Sequence, residues 1–270
     1  MISHWPGRLG AFFDYYRRAD PIYSIHSPFL FDFIQSVLDR DRIHYDFDRL
    51  YSISEQLKSN DRIIPDSEFA RQHQQAGKSI SKMFRQAGQS FSGYESLYRL
   101  ALYLKSGTIL ELGSCAGMSG CSLALGHPKS RVTCVEGNTF LSGHCQSLFQ
   151  YHGIQNAECI GSDFHSFLNR MPPQNYELAF LDGHHDAAAT RDYLRKILEI
   201  TTADAVIVLD DIHWSGGMHQ AWKDIIQWPQ IHSSLETARW GFLFKNKNIT
   251  PGAFRYIERR YKPWRIGLFK

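Results

Sequence analysis

Between Thr108 and Asp210 five short, continuous apolar runs alternate with segments of helical spacing, and nothing else in the 270 residues constrains the fold as much. The runs are Thr108–Leu112, Arg131–Glu136, Ala157–Ile160, Leu178–Asp182 and Ala205–Asp210. Helices are expected at Met118–Leu125, Thr139–His152, His165–Arg170, Ala187–Ile200 and Gly217–Ile226. A strand covered on both faces reads as an unbroken apolar run, whereas a half-exposed one alternates polar and apolar residues. Strands separated by helices are joined by right-handed crossovers, which build a doubly wound parallel sheet. After Trp228-Pro229 the pattern breaks. There Ser233–Thr237 and Trp240–Lys245, joined at Ala238-Arg239, read as an antiparallel hairpin that closes the sheet. The expectation is an α/β fold with seven strands, mostly parallel.

The first ninety residues carry no strand pattern. Pro28 to Leu38 reads as a helix with Pro in its first turn, Ser27 as N-cap and an apolar stripe at Leu30, Ile34, Val37 and Leu38. A polar helix is expected from about Glu68 to Gln86, and Leu97, Leu100, Ala101 and Leu104 form a second stripe ended by Ser106-Gly107. The chain therefore divides into an N-terminal helical cap at 1–92 and a main domain at 93–270 with a basic tail. The cap is expected to cover the rim of the sheet. Apolar residues make up 43% of the chain, enough for a folded core. Net charge is only +3, so no polyanionic partner is demanded. From Pro251 onward six basic residues face Glu258 alone, a local +5 that leaves −2 for the rest. The five cysteines are odd in number and lack a CxxC pair, as expected of thiols in a reducing compartment. No signal-like or membrane-length apolar run is seen, so the expected location is cytoplasmic, without a membrane partner.

Glu111-Leu112-Gly113-Ser114-Cys115-Ala116-Gly117 follows the first run directly, and Glu136 ends the second. In an open α/β sheet, ligands sit outside the carboxyl ends of the strands where strand order reverses. Glycine there lets bare backbone approach a ligand, and an acid 19 residues beyond Gly117 is spaced to accept hydrogen bonds from ribose hydroxyls. A dinucleotide fingerprint would want glycine at 113, 115 and 118, but Cys115 and Met118 fill two of those positions, which argues against a nicotinamide oxidoreductase. The acid-x-Gly-x-Gly-x-Gly pattern instead resembles motif I of class I S-adenosylmethionine methyltransferases, matched at Glu111, Gly113 and Gly117, with Cys115 at the central glycine. The resemblance implies a Rossmann-like sheet. It also implies a cofactor set of Glu111, Gly113, Ser114, Cys115, Gly117, Glu136, Gly137, Asp163, Phe164 and Asp182. Asp163 would accept from the adenine amine and Phe164 would stack on its ring.

Two further runs end in acids, Asp182-Gly183-His184-His185 and Asp210-Asp211-Ile212-His213. Parallel strands bring these to one rim, where three carboxylates repel unless protonated or bridged by a cation. Oxygen donors of this kind suit Mg²⁺ or Mn²⁺. The pattern resembles the catechol- and caffeoyl-CoA-type O-methyltransferases and a related bacterial branch, and Asp182, Asp210 and Asp211 match the metal ligands of the former. His184, His185 and His213, with Asp182, are the candidate acid–base groups. The function implied is methyl transfer from S-adenosylmethionine to a small-molecule acceptor by in-line displacement, with or without a divalent cation. An RNA or protein substrate rests on the basic tail alone, because the Asp/Asn-Pro-Pro-aromatic pattern of base methylation is missing, and nucleic acid is not an expected partner. A cofactor-binding protein without transfer, and a homodimer, stay open, and the acceptor is not encoded in any segment that can be read.

Overall fold

The computed structural model describes residues 5–173, 176–183 and 186–263. The chain forms two compact units, one of Met1–Gln35 with Met171–Lys270 and the other of Ser36–Arg170. The first unit begins with α1 (Trp5–Arg18) and α2 (Pro28–Phe33). Ser27 caps α2 as expected, its hydroxyl accepting from the Leu30 N–H at 3.4 Å, and Pro28 occupies the first turn where no N–H is needed. The helix runs on into a π-helical turn at Ile34–Leu38.

In the second unit α3 (Phe47–Lys58), α4 (Glu68–Gln72), α5 (Ile80–Ala87) and α6 (Phe91–Leu104) precede the strands. The polar pattern over 68–86 predicts one continuous helix. The chain instead leaves the helix at Gln74 and Gly77, whose φ values of 53° and 73° are left-handed. The loop between folds back, with the Gly77 N–H on Ile64 O and the Ile64 N–H on Lys78 O. Arg99 of α6 is buried, its Nε donating to Val37 O and its Nη1 to Arg42 O, both at 3.0 Å. A guanidinium thus satisfies one carbonyl of the π-helical turn and one in the loop beyond it. Then come β1 (Thr108–Leu112), α7 (Met118–Gly126), β2 (Arg131–Glu136), α8 (Thr139–Tyr151), β3 (Ala157–Gly161) and α9 (Phe164–Leu168). The strands are parallel, with Leu112 opposite Val135 and Glu136 opposite Gly161. Gly120 lets α7 lie close to β2, since a Cβ there would fall 2.7 Å from Cys134 Sγ and 2.9 Å from the Phe149 ring.

The first unit resumes with β4 (Tyr176–Leu181), α10 (Ala187–Ile200), β5 (Thr201–Leu209), α11 (Gly216–Ile225), β6 (Ser233–Glu236), β7 (Gly241–Phe244) and β8 (Gly252–Arg255). β4 and β5 are parallel, while β7 runs antiparallel to both β5 and β6, which is the expected hairpin. The fold is α/β, doubly wound and Rossmann-like, its mostly parallel sheet having eight strands rather than seven. The unexpected strand is β8, paired parallel to β6. Among the described residues, no helix is long and apolar enough to cross a membrane.

Candidate active site

In the second unit, β1 delivers its carboxyl end into a turn that glycine makes possible. Gly113 (φ 100°) and Gly117 (φ 88°) are left-handed, and a Cβ on Gly117 would lie 2.9 Å from Cys145 Sγ. Cys115 stands at the central glycine position and is itself left-handed at φ 47°. Its N–H donates to Glu136 Oε2 at 2.9 Å, while the Asn138 N–H donates to Oε1 at 2.9 Å. The acid that ends β2 is thereby fixed beneath the turn, and burial raises its pKa against the pull of these two N–H groups. Glu111 is fully buried next to Ser114, Ser119, Gly120 and Cys134. Burial raises its pKa, and neither carboxylate oxygen has a hydrogen-bond partner of good geometry; the Ser114 hydroxyl is likewise orphaned.

Gly137 follows Glu136 and admits the Phe69 ring into space that a Cβ would occupy. Phe69 stacks on His73 at 4.0 Å between centroids, and Asn138 Nδ2 donates to Gln75 Oε1 at 2.6 Å. Helix α4 and the loop after it therefore pack against the Gly137-Asn138 segment that follows Glu136. Asp163 is exposed and caps α9, accepting from the Ser166 N–H at 2.9 Å, a bond that holds its pKa below the usual range. Phe164, beside it, is buried.

In the first unit, parallel pairing of Leu181 with Leu209 carries Asp182 and Asp210 out of neighbouring strands together. Antiparallel pairing of Leu209 with Gly241 brings the β6–β7 turn alongside. Arg239 in that turn grips Asp210 with both prongs, Nε on Oδ1 and Nη2 on Oδ2, each at 2.6 Å. Asp210 Oδ1 also accepts from the Asp211 N–H at 2.8 Å, and Asp211 is left-handed at φ 50° with its carboxylate 3.6 Å from Arg239 Nε. Burial pushes the Asp182 carboxyl well above the usual range, Asp210 adds to this, and Arg239 opposes it. The rim thus eases its charge problem twice, by a raised pKa at Asp182 and by an arginine.

His213 is buried beneath Tyr15, with ring centroids 5.2 Å apart. Its Nε2 faces the acceptor-only carbonyl of Thr237 at 3.1 Å and its Nδ1 faces His219 Nδ1 at 3.2 Å. His219 in turn reaches Asp14 Oδ2 at 3.3 Å. Burial, reinforced by His219, lowers the His213 pKa to about 4, so the ring is neutral near pH 7. His184 and His185 lie outside the described residues. Arg8, Leu9, Phe12, Asp211, His213, Trp214 and Ala238 line a cavity of about 400 Å³. Arg8 lies over the Trp214 ring at 4.8 Å.

Nothing in the sequence pattern singles out Arg239, Arg8, His219, Asp14 or Phe69. Only the Ala238-Arg239 turn between the hairpin strands gives a signal, and it marks geometry rather than charge. Two residues of the basic tail are engaged internally, Arg255 with Nε on Glu236 at 2.9 Å and Lys262 with Nζ on Ala19 O at 2.8 Å, while Arg259 and Arg260 are exposed.

Residues 110–212 match a family model described as a methyltransferase domain. No curated protein matches the chain in sequence. Among solved structures, an O-methyltransferase from Bacillus cereus bound to S-adenosylhomocysteine is similar at TM-score 0.54 and 14% identity, over 79% of this chain and 96% of that one. A methyltransferase from Podospora anserina, also bound to S-adenosylhomocysteine, is similar at TM-score 0.54 and 16% identity, over 76% and 99%. An O-methyltransferase from Streptomyces achromogenes, involved in tomaymycin synthesis and solved with S-adenosylmethionine, gives TM-score 0.51 and 14% identity, over 74% and 99%. These likenesses are of fold. Residues 110–212 thus carry a methyltransferase domain, set in a fold shared with the O-methyltransferases above.

Proposed function

We propose that the chain methylates a hydroxyl of a small, largely apolar molecule. The observation that carries this reading is the cavity of about 400 Å³, walled by Leu9, Phe12, Trp214 and Ala238 with Asp211 and His213 at one side. Small-molecule sites are concave, mostly apolar and furnished with a few polar groups, in the range of roughly 300–1,000 Å³. S-adenosylmethionine, when bound, supplies an electrophilic methyl on a sulfonium. The residues of the motif turn suit it. The orphaned carboxylate of Glu111 and hydroxyl of Ser114 can take up its polar amino acid portion. Glu136 has lone pairs left for ribose hydroxyls, and the Gly113–Gly117 turn offers backbone free of Cβ atoms.

Much of the rate in a methyl displacement comes from alignment of the reacting atoms. Phe12 and Trp214 hold an acceptor by its apolar body and keep water away from the reacting atoms. Both nitrogens of His213 are engaged inside the protein, so its role is to fix the cavity wall. Asp211, which lines the cavity and lies 3.6 Å from Arg239 Nε, is the carboxylate assigned to take the acceptor's proton. The acid set does not fit a divalent ion as arranged. Both oxygens of Asp210 are bound by a guanidinium, and a second cation there would face its repulsion. No step is therefore routed through a metal.

Release of S-adenosylhomocysteine in the presence of a panel of hydroxylated aromatic compounds tests the proposal. At least one compound should support turnover, and Trp214→Ala should lower kcat/KM about tenfold or more with affinity for S-adenosylmethionine unchanged. Turnover confined to RNA or protein substrates, or indifference to the Trp214 change, would reject it.

A further inference from the structure

We infer that Arg239 is the resident cation of the acid rim and that its guanidinium takes the place a divalent metal would need. The acid rim is then a latent cation site masked by its own arginine. The geometry is that of a built pair. Asp210 is fully buried on its side chain while Arg239 remains 35% exposed, so the carboxylate has little access to solvent ions and the arginine reaches in to meet it. Two parallel N–H···O contacts at 2.6 Å form the bidentate fork that a planar guanidinium makes with a carboxylate and that a hydrated ion cannot mimic. Asp211 Oδ1 lies 3.6 Å from the same guanidinium, so one side chain serves two of the three acids.

The pairing is locked from both sides. On the acid side, the Asp210 N–H donates to Leu181 O at 3.0 Å and the Asp211 N–H returns to Asp210 Oδ1 at 2.8 Å. On the arginine side, the Thr237 N–H donates to Trp240 O at 2.8 Å and the Ile212 N–H to Arg239 O at 3.2 Å, tying the turn to the chain just beyond the two acids. Gly241 admits the Trp222 ring where a Cβ would stand, which fixes the strand that carries the turn. Arg239 is thus delivered by hairpin register rather than by a flexible arm, and withdrawing it would leave a buried carboxylate without its charge partner. Such a loss is strongly destabilising, or is relieved by capture of another cation.

This deepens the reading of the rim as the acceptor side of a methyltransferase, but Mn²⁺ binding reads it without donor or acceptor, so either can fail alone. Metal-stripped full-length protein is titrated with Mn²⁺ and followed by electron paramagnetic resonance for the wild type, Arg239→Ala, Arg239→Gln, Asp210→Asn and the double variant Arg239→Ala/Asp210→Asn. The wild type should show no saturable one-to-one site. Each arginine variant should bind Mn²⁺ at least tenfold more tightly than the wild type, and the double variant should lose that gain. A one-to-one wild-type site that Asp210→Asn weakens tenfold overturns the inference, as does Mn²⁺ affinity in folded Arg239→Ala no greater than in wild type. Should neither arginine variant fold, the wild type and Asp210→Asn decide: saturable one-to-one binding that Asp210→Asn weakens tenfold overturns the inference and its absence upholds it.

Discussion

Cys115 holds a backbone conformation that a side chain resists. A left-handed φ of 47° crowds Cβ against the following carbonyl and costs about 1–2 kcal/mol for an L-residue. Glycine would remove that cost but bring about 0.5–1 kcal/mol of extra unfolded-state entropy. Cys115→Gly should therefore stabilise the protein by about 0.5–1 kcal/mol in urea unfolding, since the N–H to Glu136 is kept. A loss of more than about 1 kcal/mol would mean that the thiol's packing outweighs backbone strain. The acids Glu111 and Glu136 are legible from sequence because each ends an apolar run. Arg239 is not. It lies 29 positions from Asp210, and only strand register joins them.

Lys245 ties one element to the next. Its Nζ donates to Leu198 O at 3.0 Å, to Thr201 O at 2.9 Å and to Thr201 Oγ1 at 3.0 Å, closing the C-terminus of α10 where β5 begins without an intervening loop. A positive charge also complements the negative end of a helix. Lys245→Met should cost about 2–3 kcal/mol in urea unfolding, because carbonyls lose a charged donor at a half-buried site. A cost under about 0.5 kcal/mol would make the lysine peripheral. At this scale the sequence reads best where apolar runs meet sharp boundaries. β1 and β2 fall on the residues expected of them, as does α10, whose N-cap Asp186 accepts from the Ala188 and Ala189 N–H groups. β5 begins at Thr201, earlier than expected, because Thr201-Thr202-Ala203-Asp204 carries no apolar run. β8 escapes notice for a similar reason, being at most half-buried and held to β6 by pairing and by the Arg255–Glu236 bond.

In the whole molecule, each compact unit carries its own set of candidate residues. The unit of Ser36–Arg170 holds the motif turn, with Glu111 and Glu136 beneath it and Phe69 over Gly137. The unit of Met1–Gln35 and Met171–Lys270 holds the acid rim, Arg239 and the cavity to which α1 contributes Arg8, Leu9 and Phe12. The aromatic segment Phe12-Phe13-Asp14-Tyr15-Tyr16 reads from the sequence only as apolar cover. In the structure its members diverge: Phe12 lines the cavity, Asp14 meets His219 and Tyr15 packs at a tilt against His213. Helical phase separates them, and without knowing which elements face α1 no pattern of residues assigns the partners.

Calorimetric titration of S-adenosylhomocysteine into the wild type and Glu136→Ala tests the central claim, that the turn and its buried acid form the cofactor site. The wild type should bind one equivalent. The variant should lose about 1.5–3 kcal/mol, the worth of charge-assisted hydrogen bonds to ribose, or roughly ten- to hundredfold in Kd, while melting as a folded protein. No binding by the wild type, or equal affinity in a folded Glu136→Ala variant, would contradict the account.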